Sequence, residues 1–214
     1  SYKTSPNIGG YDYWAIRLDT KGDLLWDKTY GGRGYDLLQK VLVTQTNEII
    51  LCGITESDKL TPVKDSLLRG GRDIWLVRLN DNGEKVGEKV LGGTQGESFG
   101  TIQLTADGGF LVAGGSASSA YAPDLSDNTK GGLDAWIVRL DQNFNQVWSK
   151  RWGGNRDDYF GALTQTTEGY HILTGESQSD ATGDKTGPWL GQRDAWILKT
   201  WIATPPTISA TRTT

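Results

Sequence analysis

The stretch GGLDAWIVRLD, Gly131 to Asp141, decides the fold, because the chain writes it four times. The other copies are GGYDYWAIRLD from Gly9, GGRDIWLVRLN from Gly70 and a variant, GQRDAWILKTW, from Gly191. Trp14, Trp75, Trp136 and Trp196 are equivalent and lie 61, 61 and 60 residues apart. A fixed period of that length marks a repeat architecture, in which each unit buries an apolar face against its neighbour. Within the stretch, Trp136 and Val138 alternate with Ala135 and Ile137, the period of two that a strand requires. Both faces are apolar, so the strand suits a sheet covered on both sides.

Working outward, each unit repeats the same order. The Trp strand is followed by a turn, DTKGD, NDNGE or DQNFN. Gly22 and Gly83 supply a positive φ there, and the third copy carries Phe144 instead. A second strand (LLWDKTY, KVGEKVL, QVWSKRW) ends in Gly-Gly and leads to Asp36, Glu97 or Asp158. A third strand, a turn (TNE, DGG, EGY) and a fourth strand (IILCG, FLVAG, HILTG) follow. A polar loop then runs to the next Gly-Gly. These loops vary while the strands do not, as expected of surface connections. No segment of ten or more residues has a helical period. The division expected is residues 1–8 as the end of a preceding repeat, 9–69, 70–130 and 131–190 as repeats, and 191–202 as a strand of a fourth. The Pro/Thr-rich residues 203–214 read as a linker to a further domain.

The chain has 214 residues, enough for one β domain with a sizeable core. Its net charge of −4 lacks the basic stripe that nucleic-acid binding needs. No apolar run approaches the roughly 18 residues of a membrane helix, so no membrane insertion is expected. The single cysteine, Cys52, forms no internal disulfide.

Three units of four short strands fit several closed all-β designs: β-propeller blades of four antiparallel strands, a β-trefoil or a β-prism. Strands apolar on both faces favour propeller blades, each one packing between two neighbours. The residues that carry a family resemblance are D-A-W-I-V-R-L-D from Asp134, W-x-K-x-x-G-G-x-x-D-D through Gly153, Gly154, Asp157 and Asp158, and T-x-D/E-G-x-x-x-x-x-G ending at Gly175. Together with their equivalents one period away, they resemble the bacterial SBBP-type β-propeller repeat, from about Gly9 to Trp201. That resemblance implies propeller blades in a secreted or cell-surface protein, Bacteroidota-like, and no defined activity. Three full repeats are fewer than the four to eight blades of an ordinary ring. The expected partners are therefore further blades or domains of a longer chain, or a second protein.

Residues that recur in every unit read as structural. Asp12, Asp73, Asp134 and Asp194 are placed to cap the turn before each Trp strand. Arg17, Arg78, Arg139 and Lys199 are expected to pair with Asp36, Glu97 or Asp158. The Trp residues are expected in the core, with Trp14, Trp75 and Trp136 mostly buried. Candidates for function are the residues that do not recur. Tyr121 and Trp189 are aromatics in polar loops, suited to a glycan or protein ligand. Asp124, Asp127, Asp180 and Asp184 make two loops oxygen-rich, the chemistry calcium takes, without the spacing of an EF-hand. His171 is the only histidine, which excludes a His-rich zinc site, and it reads as a partly buried strand residue. No P-loop, nucleophile elbow, HExxH or CxxC is present. The expectation is a non-enzymatic scaffold for protein contacts, with a carbohydrate-binding module as the alternative and no resident cofactor unless calcium.

Overall fold

The computed structural model describes residues 3–58, 61, 63–119, 124, 125 and 127–201. These residues form thirteen β-strands and no α-helix. They are β1 (Tyr13–Leu18), β2 (Leu24–Tyr30), β3 (Asp36–Val43), β4 (Ile49–Thr55), β5 (Asp73–Leu79), β6 (Lys85–Leu91), β7 (Glu97–Leu104), β8 (Phe110–Ser116), β9 (Asp134–Leu140), β10 (Gln146–Trp152), β11 (Asp158–Gln165), β12 (His171–Ser177) and β13 (Asp194–Thr200). All ladders between them are antiparallel, in four sheets: β1-β2, β3-β4-β5-β6, β7-β8-β9-β10 and β11-β12-β13.

The sheet is offset from the sequence repeat by two strands. A sheet opens at the acid after Gly-Gly and closes at the next Gly-Gly. The long polar loop therefore joins the second and third strands of one sheet, where Ile49 pairs with Leu79 and Thr55 with Asp73. The chain changes sheet at Gly-Gly. No side chain is tolerated at Gly31, Gly92 or Gly153, because a Cβ there would strike the carboxylates of Asp12, Asp73 and Asp134.

Turn chemistry explains the hairpins. Asp19, Asn80 and Asp141 each accept two backbone N–H bonds from their own turn, at residues 21 and 23, 82 and 84, and 143 and 145. Gly22, Gly83 and Phe144 follow with positive φ, 87°, 70° and 64°. The other hairpins place Asn47, Gly108 and Gly169 in the same region.

The sheets stack face to face in chain order. The β1-β2 sheet meets the next through Tyr13 and Tyr30 against Leu51, Trp75, Val77 and Leu79. The central interface sets Ile50, Ile74, Leu76 and Leu91 against Phe110, Val112, Trp136 and Val138. The last sets Leu111, Ala113, Ala135 and Ile137 against Phe160 and Leu173, with Trp196 at its margin. Trp75 and Trp136 are buried, but Trp14, expected beside them in the core, is 40% exposed. Its face has no neighbouring sheet among the described residues.

Candidate functional site

The densest polar constellation is a buried acid network that recurs at each passage between sheets. The acid opening a sheet (Asp36, Glu97, Asp158) accepts from the N–H of the second glycine: Gly32 at 2.8 Å, Gly93 at 3.1 Å and Gly154 at 2.8 Å. It also accepts from Ser57 at 2.7 Å, Ser118 at 2.6 Å and Ser179 at 2.7 Å. Each serine oxygen in turn takes a backbone N–H, from Gly34, Gln95 or Arg156. The serine's own N–H is held by Thr55, Ser116 or Ser177. Sequence reading missed these serines, although Ser57, Ser118 and Ser179 recur at the same 61-residue step. They lie in loops where serine looks like ordinary solvent-facing composition.

The second acid of each network precedes the Trp strand. Asp12 accepts from the N–H of Ile8, Asp73 from Arg69, Asp134 from Lys130, and Asp194 from Leu190. The other carboxylate oxygens of Asp12, Asp73 and Asp134 lie beside Gly31, Gly92 and Gly153, close to the first acid. Burial pushes the acidity of Asp73 and Glu97 towards the neutral form. Asp134 is pushed up to about 6, by burial first and Asp158 second, against the opposing effects of the Lys130 N–H and Arg151.

The expected pairing of the repeated basic residues with Asp36, Glu97 or Asp158 is corrected. Arg17 instead donates to the backbone carbonyl and carboxylate of Asp81. Arg78 donates to the carbonyl of Gln142, its ion pair with Glu48 being longer at 3.4 Å. Both hold a turn of the following sheet, which their long side chains reach across the interface. Arg139 is buried against Asp107, at 2.6 and 2.5 Å. The Thr44–Glu48 and Thr105–Gly108 turns, with Arg78 and Gln142, line a polar cleft of about 690 Å³. Its charged groups are paired within the protein.

The loop acids are placed apart, each with its own partner. Asp124 pairs with Arg69 and accepts from the Gly92 N–H, while its carbonyl takes Ser149 at 2.7 Å. Asp127 receives Arg151 at 3.2 Å. Asp184 pairs with Lys130 and accepts from the Gly153 N–H. Asp180 accepts from the Asn155 amide at 3.3 Å. Thus Arg69–Asp124 and Lys130–Asp184 are the same staple one period apart, tying each loop to the next. Among the described residues, no group of three or more His, Cys, Asp or Glu side chains is set to hold a metal ion.

Trp189 is partly exposed, with the Arg156 guanidinium 4.3 Å from its ring centre. Tyr121 lies outside the described residues. His171 is buried between sheets, and burial together with Arg139 holds its imidazole below the ordinary range. Burial pushes the Cys52 thiol up, so it stays protonated and unreactive.

No family model matches the chain. A curated protein similar to it is the regulatory protein FlaEY of Caulobacter vibrioides, 25% identical over 143 residues. That match takes in 63% of this chain and 15% of FlaEY, so the chain corresponds to a small part of that protein's length.

Proposed function

We propose that the chain is a run of β-propeller blades of the SBBP type, forming a non-enzymatic scaffold for protein contacts outside the cell or at a bacterial surface. One observation carries this reading. The recurring acids, serines and first two arginines are bonded within the fold, at sheet passages and turns, while the loops between second and third strands share little sequence beyond those residues. A scaffold needs that division: a constant frame and variable loops. Four antiparallel sheets stacked in chain order support blades over a trefoil or prism. Calcium has no support in the loop acids, whose charges are met by Arg69, Arg151 and Lys130 or, for Asp180, by an amide.

The alternative, a carbohydrate-binding module, rests on Trp189. Its ring already carries the Arg156 guanidinium, which competes with a stacked sugar. A photoreactive residue at position 190, where Leu190 is 84% exposed, gives the test on producing cells. Crosslinks should run to protein. A glycan-array signal abolished by Trp189→Ala would replace the scaffold reading with the carbohydrate one.

A further inference from the structure

The hairpin turn between β5 and β6 carries the one Asn-Gly pair in the chain, Asn82-Gly83. Its equivalents one period away are Lys21-Gly22 and Asn143-Phe144, each lacking one half of the pair. In such a pair the glycine nitrogen is the least hindered backbone nucleophile for the asparagine side-chain amide, because no Cβ shields it. Asn82 is exposed, whereas Gly83 is buried. The amide is thus open to water, while the nitrogen that must attack it is held inside the fold.

The hold comes from the neighbouring sheet. Trp26 of β2 lies over Gly83, where a Cβ would come within 3.0 Å of the indole ring. The Trp26 N–H donates to the Asp81 carbonyl at 3.0 Å, and the Tyr30 hydroxyl donates to the Gly83 carbonyl at 2.6 Å. Arg17 of β1 donates to the same Asp81 carbonyl. Within the turn, the Gly83 N–H donates to the Asn80 carbonyl at 3.0 Å. The Asn80 side chain accepts the N–H groups of Asn82 and Glu84 at 3.0 and 2.9 Å. Attack on the Asn82 side chain requires the Gly83 nitrogen to leave the Asn80 carbonyl, and the contacts from β1 and β2 resist that movement. The next boundary shows why the glycine stands here. By the repeat, Gly87 takes the place of Trp26 and Phe144 takes the place of Gly83. Each boundary has one ring, on the strand in the first and on the turn in the second. Gly83 leaves the room that Trp26 fills.

We propose that Asn82 is a deamidation site, closing on the Gly83 nitrogen through a cyclic imide, and that the β1-β2 sheet governs its rate by clamping the turn. Water is the only co-reactant. The Gly83 nitrogen loses its proton to water and forms a bond to Cγ of Asn82. The bond from Cγ to the side-chain nitrogen breaks, and that nitrogen takes up a proton and leaves as ammonia. A second water then opens the imide at either carbonyl, leaving aspartate or isoaspartate. Isoaspartate carries the main chain through Cγ and adds one methylene to the turn. Gly83 then no longer meets Asn80, Trp26 and Tyr30 together, so this product loosens the first sheet from the second. The site stands on the packing of two sheets and is independent of what the loops bind.

The test ages the 214-residue chain at neutral pH. Mass spectrometry of the tryptic peptide from Leu79 to Lys85 follows the amide of Asn82 and separates aspartate from isoaspartate. Folded wild type should lose the amide at least about tenfold more slowly than the chain unfolded in urea, since reaction waits on local opening. Trp26→Ala should raise the folded rate about tenfold, the factor given by about 1.4 kcal/mol of lost contact. Tyr30→Phe should raise it about fivefold, the effect of one hydrogen bond. It keeps the ring and carries the test if Trp26→Ala misfolds. Trp148→Ala is the control. Trp148 is the equivalent of Trp26 two periods on and packs between the third and fourth sheets. Its loss should leave the rate at Asn82 unchanged. A folded rate equal to that in urea, or clamp variants that react as slowly as wild type, overturns the proposal. So does a Trp148→Ala chain as fast as Trp26→Ala, which would place the reaction in the globally unfolded chain.

Discussion

The guanidinium of Arg78 lies 4.4 Å from the centre of the Phe144 ring, across the boundary between two sheets. Phe144 holds this place at φ 64°, a region in which its two equivalents are glycine. Two opposing terms meet at one residue. A non-glycine in the left-handed region costs about 1 kcal/mol or more. Against that, the ring is buried, packs on Phe110 at 5.2 Å and takes the Arg78 cation.

Packing should win. Phe144→Gly relieves the backbone but opens a cavity worth about 3–5 kcal/mol. A net loss of about 2–4 kcal/mol is expected in urea melts. An unchanged or raised midpoint would show that backbone strain outweighs the ring.

The four equivalent tryptophans should differ in energy, because their neighbours differ. Trp136→Ala should cost about 3–5 kcal/mol, as for a large buried aromatic. Trp14→Ala, at an exposed face, should cost under about half of that. Equal losses in paired denaturant melts would mean that the first face is covered in solution.

Strands and turns were legible because they depend on neighbours in sequence. Alternation set β9, and Asp141 with Phe144 set its turn. What a strand faces depends on another sheet, and no spacing within YWAIRL tells that Trp14 lacks the cover Trp75 has. The arginine pairing failed for the same reason. Arg17 lies on one sheet and Asp81 on a turn of the next, whereas Asp36 lies within the same sequence unit as Arg17. The serines were a different failure. Ser118 carries the period in plain view, but its loop has the composition of solvent-facing sequence, and its partner Glu97 lies 21 residues away.

Those serines yield a prediction. Ser118→Ala removes a donor to buried Glu97 and an acceptor for the Gln95 N–H. Leaving buried polar groups unpaired costs about 1–3 kcal/mol. Ser179→Ala should cost a similar amount, because Asp158 and Arg156 stand in the same relation to it. Thermal melts of the two variants give the comparison. Two neutral substitutions would show the network to be ornamental to stability.

Asp73, Glu97 and Asp134 make stability fall as pH rises. Asp134 is fully buried and titrates at about 6 in the folded chain, pushed up chiefly by burial. In the unfolded chain an aspartate titrates near about 3.9. The folded state therefore holds a proton that the unfolded state has released between about pH 4 and 6. Stability from this group is complete below about pH 4 and lost as pH passes through about 6, a change on the order of 3 kcal/mol. Asp73 and Glu97, also raised, act in the same direction. His171 opposes them, since its lowered value costs stability as pH falls below about 6.5. Carboxylates held low, such as Asp107 and Asp141, matter only at pH values below the ordinary carboxylate range. Asp134→Asn removes one titration and leaves the others. Its stability should exceed that of wild type by more at pH 7.5 than at pH 4.5, the difference growing by about 2–3 kcal/mol. Urea melts of both chains across that window measure it. Parallel profiles would show that Asp134 keeps an ordinary acidity in the folded protein and that no proton is held beside Asp158.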